Sequence, residues 1–160
     1  MRLYIPANLW VAAVETLHGR PHDRERALFL DGPRPTSVGP VVATTLVLPP
    51  VDHSRGHYAI SAKDMSRVGR HLRSFDFLRL AQMHSHPAGS TDHSDHDDEM
   101  AYSRRDGALS IVVPHYGACA PGLADCGVHH RDADGWRRLA HDEVDEYIVV
   151  VPSVLDFRAS

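Results

Sequence analysis

The stretch Met83-His84-Ser85-His86-Pro87-Ala88-Gly89-Ser90-Thr91-Asp92-His93-Ser94-Asp95-His96-Asp97-Asp98-Glu99 decides how the rest of the chain is read. Within it, His84 and His86 are followed by seven residues, then Ser94, two more residues and Asp97. The preceding run, Phe77 to Met83, has the apolar content of a strand. In extended chain Leu78, Leu80, Gln82, His84 and His86 share one parity, which puts both imidazoles on one side. Ser94 and the acidic residues after it mark the start of a helix reaching about Arg104, with Asp97 in its first turn. Two imidazoles from a strand and one carboxylate from the next helix can grip a single zinc ion, with ligand distances of roughly 2.0 to 2.2 Å. Three protein ligands leave the fourth position open, which separates catalytic zinc sites from closed structural ones.

Each half of the pattern also has an ordinary explanation. A chain with 13 histidines will produce His-x-His pairs by accident. Ser94-x-x-Asp97 has the form of a capping box, in which the carboxylate reaches back to the cap amide. The two readings are compatible, because a capped helix is a rigid mount for a serine hydroxyl and a metal carboxylate.

Working outward, Trp10, Ala13, Val14 and Leu17 fall at helical spacing after Pro6, and His18-Gly19-Arg20-Pro21 ends that helix. Ala27-Leu28-Phe29-Leu30, closed by Asp31-Gly32-Pro33, reads as a strand running into a turn. Val41 to Val51 reads as one further strand ended by Pro49-Pro50, and Asp52 to His57 as a polar loop. Ser61-Ala62-Lys63-Asp64 starts a second helix whose face continues through Met65, Val68 and Leu72. Downstream lie a buried strand from Ala108 to Pro114, shorter strands near Val128 and Trp136, and a last one over Tyr147 to Val151. Alternation of strands and helices implies an α/β fold, a mixed β-sheet flanked by helices.

At 160 residues and 42% hydrophobic content, the chain suits one domain spanning 1–160 with one core. The net charge of −4 and scattered Lys and Arg give no stripe for nucleic acid and no patch for an anionic membrane. Cys119 and Cys126 have neither metal-pair spacing nor the number of a disulfide scaffold, so both read as plain thiols. Without a signal-peptide stretch or a segment long enough to span a bilayer, a soluble cytoplasmic protein is expected. Trp10 and Trp136 read as core residues, His93 and His96 as bystanders, and Asp95, Asp98 and Glu99 as partners of the helix dipole.

The run from Met83 to Glu99 resembles the JAMM motif of the JAB/MPN zinc metalloproteases, with every ligand position filled. The resemblance implies a single MPN/JAB-like domain and one zinc ion on His84, His86 and Asp97. It implies that Ser94 polarises the scissile carbonyl and supports the oxyanion. It also requires an upstream glutamate as general base, and only Glu15 and Glu25 precede the histidines. Glu15 falls off the apolar face of the first helix. Glu25 opens the Ala27–Leu30 strand in a segment that resembles the family's first strand, although Leu28 stands where relatives often have glycine.

The activity so implied is hydrolysis of an isopeptide or peptide bond at the C-terminus of a ubiquitin-like protein. Ser103 to Pro114 is similar to compact bacterial JAB proteins associated with ubiquitin-like conjugation, so conjugation enzymes are expected among the partners. Two alternatives stand beside deconjugation: maturation of a ubiquitin-like or sulfur-carrier precursor, and a noncatalytic MPN scaffold that binds proteins.

Overall fold

In a computed structural model, residues 2–20, 24–36, 39–54, 57–103 and 105–155 are described, with the side chains of 53, 54, 57 and 58 left aside. The elements in order are β1 (Leu3–Pro6), α1 (Ala7–Leu17), β2 (Ala27–Pro33), β3 (Val41–Val42), β4 (Thr45–Val47), β5 (Asp52–Ser54) and β6 (His57–Ala59). They continue with α2 (Ala62–Phe75), β7 (Phe77–Ser85), α3 (Asp95–Met100), β8 (Leu109–Val113), β9 (Gly127–Asp132), β10 (Gly135–Arg138), α4 (Val144–Tyr147) and β11 (Ile148–Val151). A six-stranded sheet runs β10-β9-β8-β7-β2-β4, with a smaller sheet β11-β1-β3 beside it and a β5–β6 hairpin. The large sheet is mixed as expected: β7 and β8 are parallel and its other pairs antiparallel.

One face of that sheet is apolar. Leu28, Leu30, Ala81, Met83, Leu109, Ile111, Val113 and Val128 pack there with Trp10, Ala13, Val14 and Leu17 of α1. At about 25 cal/mol per Å² of apolar surface removed from water, this is the main stabilising term. The opposite face is a buried polar layer. Register sets Phe29, Gln82, Ser110 and His129 side by side across four strands, and Ala27, His84, Val112 and Gly127 in the next row. Gln82, His84, Ser110 and His129 are all buried.

Several sequence expectations need correcting. Leu3–Pro6 is a parallel strand between β11 and β3, where no strand was read. The single strand over Val41 to Val51 is two short ones that switch sheets: Ala43 N–H donates to Tyr4 O, and Thr44 N–H to Asp31 O. Gly32 permits that crossing, since a Cβ there would lie 2.2 Å from Val42 O. The expected loop after Asp52 is the β5–β6 hairpin.

Leu78 and Leu80 do not continue the parity of Gln82 and His84. Leu30 pairs with Ala81 but Asp31 with Arg79, so Leu80 is an extra residue in a β-bulge. The bulge turns Arg79 onto the polar face, where it forms a 3.0 Å ion pair with Asp31 and stacks 3.5 Å over the Phe29 ring. Helix α3 ends at Met100, short of the expected reach; Arg104, like Pro21, lies outside the described residues.

Candidate metal centre

β7 and β8 run parallel, and the candidate metal centre lies at their carboxyl ends, a place where α/β sheets commonly bind ligands. His84 lies in the last turn of pleat of β7 and His86 just beyond it. Antiparallel pairing continues past Ala27–His84: Ser85 N–H donates to Arg26 O at 3.0 Å, and Arg26 N–H to Ser85 Oγ at 3.1 Å. That register sets Glu25 across from His86. Glu25 is only 4% exposed. Burial raises its pKa above the ordinary carboxylate value, while His86 pulls it down and Asp97 pushes it up. Glu15 is exposed on α1, which packs on the other face of the sheet.

From the opposite side, α3 delivers Asp97. Its Oδ1 lies 3.2 Å from His84 Nε2, its Oδ2 lies 3.3 Å from His86 Nε2, and the two imidazole nitrogens are 3.2 Å apart. Ligands held at roughly 2.0–2.1 Å in a tetrahedral shell sit about 3.3 Å from one another, so the two imidazole nitrogens are spaced as one small ion requires, and each lies at a similar distance from a different oxygen of the same carboxylate. Among the described residues this is the one His/Cys/Asp/Glu group so placed. His86 Nδ1 donates to Ser90 O at 3.2 Å, which fixes the ring with Nε2 turned toward Asp97. The pKa of Asp97 is drawn far below the usual carboxylate range: burial opposes ionisation, but hydrogen bonds with His84 and His86 outweigh it.

Ser94 is the N-cap of α3, and the full capping box is present. Its N–H and its hydroxyl both donate to Asp97 Oδ2 at 2.7 Å, and Asp97 N–H donates to Ser94 Oγ at 3.2 Å. The cap is therefore also the clamp on the carboxylate. Leu28, where a glycine was expected from the resemblance, points into the apolar core and leaves the centre untouched.

The loop between β7 and α3 is pinned along its length. Tyr116 N–H donates to His86 O and His115 N–H to Ala88 O, at 2.8 and 3.1 Å. His115 and Tyr116 hold left-handed backbone to do so, at φ of 51° and 52°. Such conformations cost about 1–3 kcal/mol each and persist where the surroundings enforce them. Arg138 on β10 holds Asp92 and donates to Thr91 Oγ1 at 2.7 Å. Thr91 crosses so close over β9 that a Cβ at Gly127 would lie 2.0 Å from Thr91 O.

His93 is drawn into this framework, contrary to its reading as a bystander. It stacks on His129 with ring centroids 3.9 Å apart and meets the edge of Trp136 at 5.2 Å. Trp136 is half-buried there, while Trp10 is in the core as expected. Nothing in the residue types alone distinguished His93 from the other histidines; its value comes from the row beneath it. Asp95, Asp97 and Asp98 occupy the first turn of α3, as the dipole argument required. Cys119 and Cys126 are free, and burial pushes the Cys126 thiol up to about 12.

Burial, aided by the nearby His93, pushes the pKa of His129 down to about 3. The unfolded chain binds a proton at this residue below about pH 6.5, whereas the folded chain stays neutral. Folding stability therefore falls as pH drops from about 6.5 toward 3. In urea melts of metal-free protein, the loss between pH 7 and 4.5 is expected to shrink by on the order of 2 kcal/mol in His129→Gln, which keeps an acceptor for the His93 N–H. An unchanged loss would show that His129 is protonated in the folded state.

No protein-family model and no curated protein matches the sequence. Solved structures do match in shape. A protein from Desulfitobacterium hafniense superposes with a TM-score of 0.68 at 15% identity, over 95% of this chain and 94% of its own. A JAB1/MPN domain protein from Archaeoglobus fulgidus superposes with a TM-score of 0.53 at 16% identity, over 92% of this chain and 98% of its own. The fold is MPN/JAB-like. Among the described residues no helix is long and apolar enough to cross a membrane.

Proposed function

We propose that this MPN/JAB-like chain is a zinc-dependent hydrolase of the JAMM type, acting on an isopeptide or peptide bond at the C-terminus of a ubiquitin-like protein. The observation that carries the reading is the convergence of His84 Nε2, His86 Nε2 and the Asp97 carboxylate, in contact at 3.2–3.3 Å, with buried Glu25 set across from His86. Two imidazoles and one carboxylate form a donor set suited to zinc, whereas calcium and magnesium favour oxygen alone. Zinc, when bound, supplies the Lewis acidity that activates water and polarises a carbonyl near neutral pH.

The protein's own groups supply the rest. Glu25, buried across from His86, accepts the proton of the attacking water and returns it to the departing amine. Ser94 donates to the developing oxyanion. Its hydroxyl is free to turn for that purpose, because the Ser94 N–H continues to hold Asp97 Oδ2 at 2.7 Å. The pinned loop keeps these groups in place before substrate arrives, so little reorganisation is left for the reaction itself. A noncatalytic scaffold has no need of three convergent ligand atoms and a buried carboxylate beside them.

The reading is tested by incubating zinc-loaded protein with ubiquitin-like proteins carrying either a peptide or a lysine side chain at the C-terminus. Cleavage at that junction is expected, and the preferred linkage separates deconjugation from maturation of a precursor. Binding of these fusions without cleavage, by protein carrying a full equivalent of zinc, would favour the scaffold.

A further inference from the structure

Beneath the metal row lies a second row of buried polar groups that the proposed chemistry does not use. Tyr102 N–H, just past the end of α3, donates to Gln82 Oε1 at 3.1 Å. Gln82 Nε2 donates to Ser110 Oγ at 2.9 Å. Ser110 Oγ lies 2.9 Å from His93 Nε2, and His93 Nδ1 lies 2.8 Å from Asp98 Oδ1. The chain of bonds has one consistent polarity. Asp98 accepts from Nδ1–H, so His93 Nε2 carries the lone pair and accepts the Ser110 hydroxyl, whose own lone pair takes the Gln82 amide. His93 N–H donates in turn to His129 Nε2 at 3.3 Å.

The two ends of this chain are the two ends of helix α3. Asp98 is in its first turn and Tyr102 follows its C-terminal cap, Ala101. A helix of 6 residues has little stability of its own, so its orientation depends on what it is tied to. Gln82, Ser110 and His93 tie it to β7 and β8, and β7 itself ends in His84. Both sides of the metal triangle are thereby referred to one rigid sheet.

We propose that Gln82, Ser110 and His93 are positioning residues for Asp97, setting how well the metal site is formed before the metal arrives. The proposal rests on the reading of His84, His86 and Asp97 as metal ligands. It adds that metal affinity is governed by a buried row one pair further along the strands. Loss of groups that orient metal ligands typically costs 10–100-fold in affinity.

The test compares His93→Phe, which keeps a ring between His129 and Trp136 but removes both side-chain hydrogen bonds, with Ser110→Ala, which removes the central hydroxyl. Ile111→Val serves as control, since Ile111 is on β8 but faces the apolar core. Affinity for zinc is measured by competition with a chromophoric chelator, and ligand geometry by the visible spectrum of the cobalt-substituted protein. Both network variants are expected to bind zinc 10–100-fold more weakly than wild type and to show an altered cobalt spectrum, with Ile111→Val unchanged in both. Two results would overturn the proposal: either folded network variant within about twofold of wild type with the same spectrum, or an equal loss in Ile111→Val. If wild type itself binds no zinc under non-chelating conditions, the ligand assignment fails instead. Should one variant not fold, the other and Gln82→Met decide.

Discussion

His86→Ala is expected to release the zinc while leaving the fold standing. Among the three proposed ligands His86 is the right one to remove. His84 is fully buried in β7, and Asp97 closes the capping box of α3, so replacing either changes packing or helix stability along with coordination. The His86 side chain is 13% exposed and lies past the end of the strand. Binding free energies for zinc sites of about 10–16 kcal/mol, shared over three or four ligands, give each ligand about 2.5–5 kcal/mol, which is a loss on the order of 10²-fold or more. Purified wild type should carry one zinc per chain and His86→Ala close to none, with circular dichroism unchanged. The same ion should stabilise wild type alone: zinc at 100 times its Kd adds about 2.7 kcal/mol by mass action, so a chelator should lower the melting temperature of wild type and leave that of His86→Ala where it is. A full equivalent of zinc in the variant would sink the ligand assignment.

The site was legible in the sequence to the extent that it depends on local spacing. His84 and His86 alternate on one strand, and Ser94 with Asp97 spans a helical first turn; both relations are set by backbone periodicity. Glu25 was preferred to Glu15 because α1 shows a clear apolar face and Glu15 falls off it; the structure buries Glu25 across from His86 and leaves Glu15 exposed. What escaped were the features set by contacts between distant segments. Leu3–Pro6 is too short to announce a strand and becomes one only between β3 and β11. The bulge at Leu80 leaves no mark in the hydrophobic pattern, because Leu suits either face. The switch of chain between sheets at Ala43 and Thr44 depends on the absence of a side chain at Gly32. Gln82, Ser110 and His93 come from three segments and acquire meaning only in register.

That register also governs Glu25→Gln, which is expected to keep its zinc and lose hydrolysis. Glutamine preserves the shape and burial of the side chain and removes only its capacity to take a proton, so turnover should fall by about 10²–10⁴-fold. The pH profile supplies an independent check. Protonation of Glu25 removes the base, so wild-type activity should decline on an acid limb as pH falls. The residual activity of Glu25→Gln should lack that limb. Stability should move the other way. A carboxylate whose folded pKa is raised destabilises the native state once pH climbs above the unfolded value, so metal-free Glu25→Gln should resist urea at pH 7 better than metal-free wild type. Undiminished turnover in the variant would place the base elsewhere. A gain in stability together with a loss of rate would mark Glu25 as a charge kept buried for chemistry, at a cost that folding alone would not select.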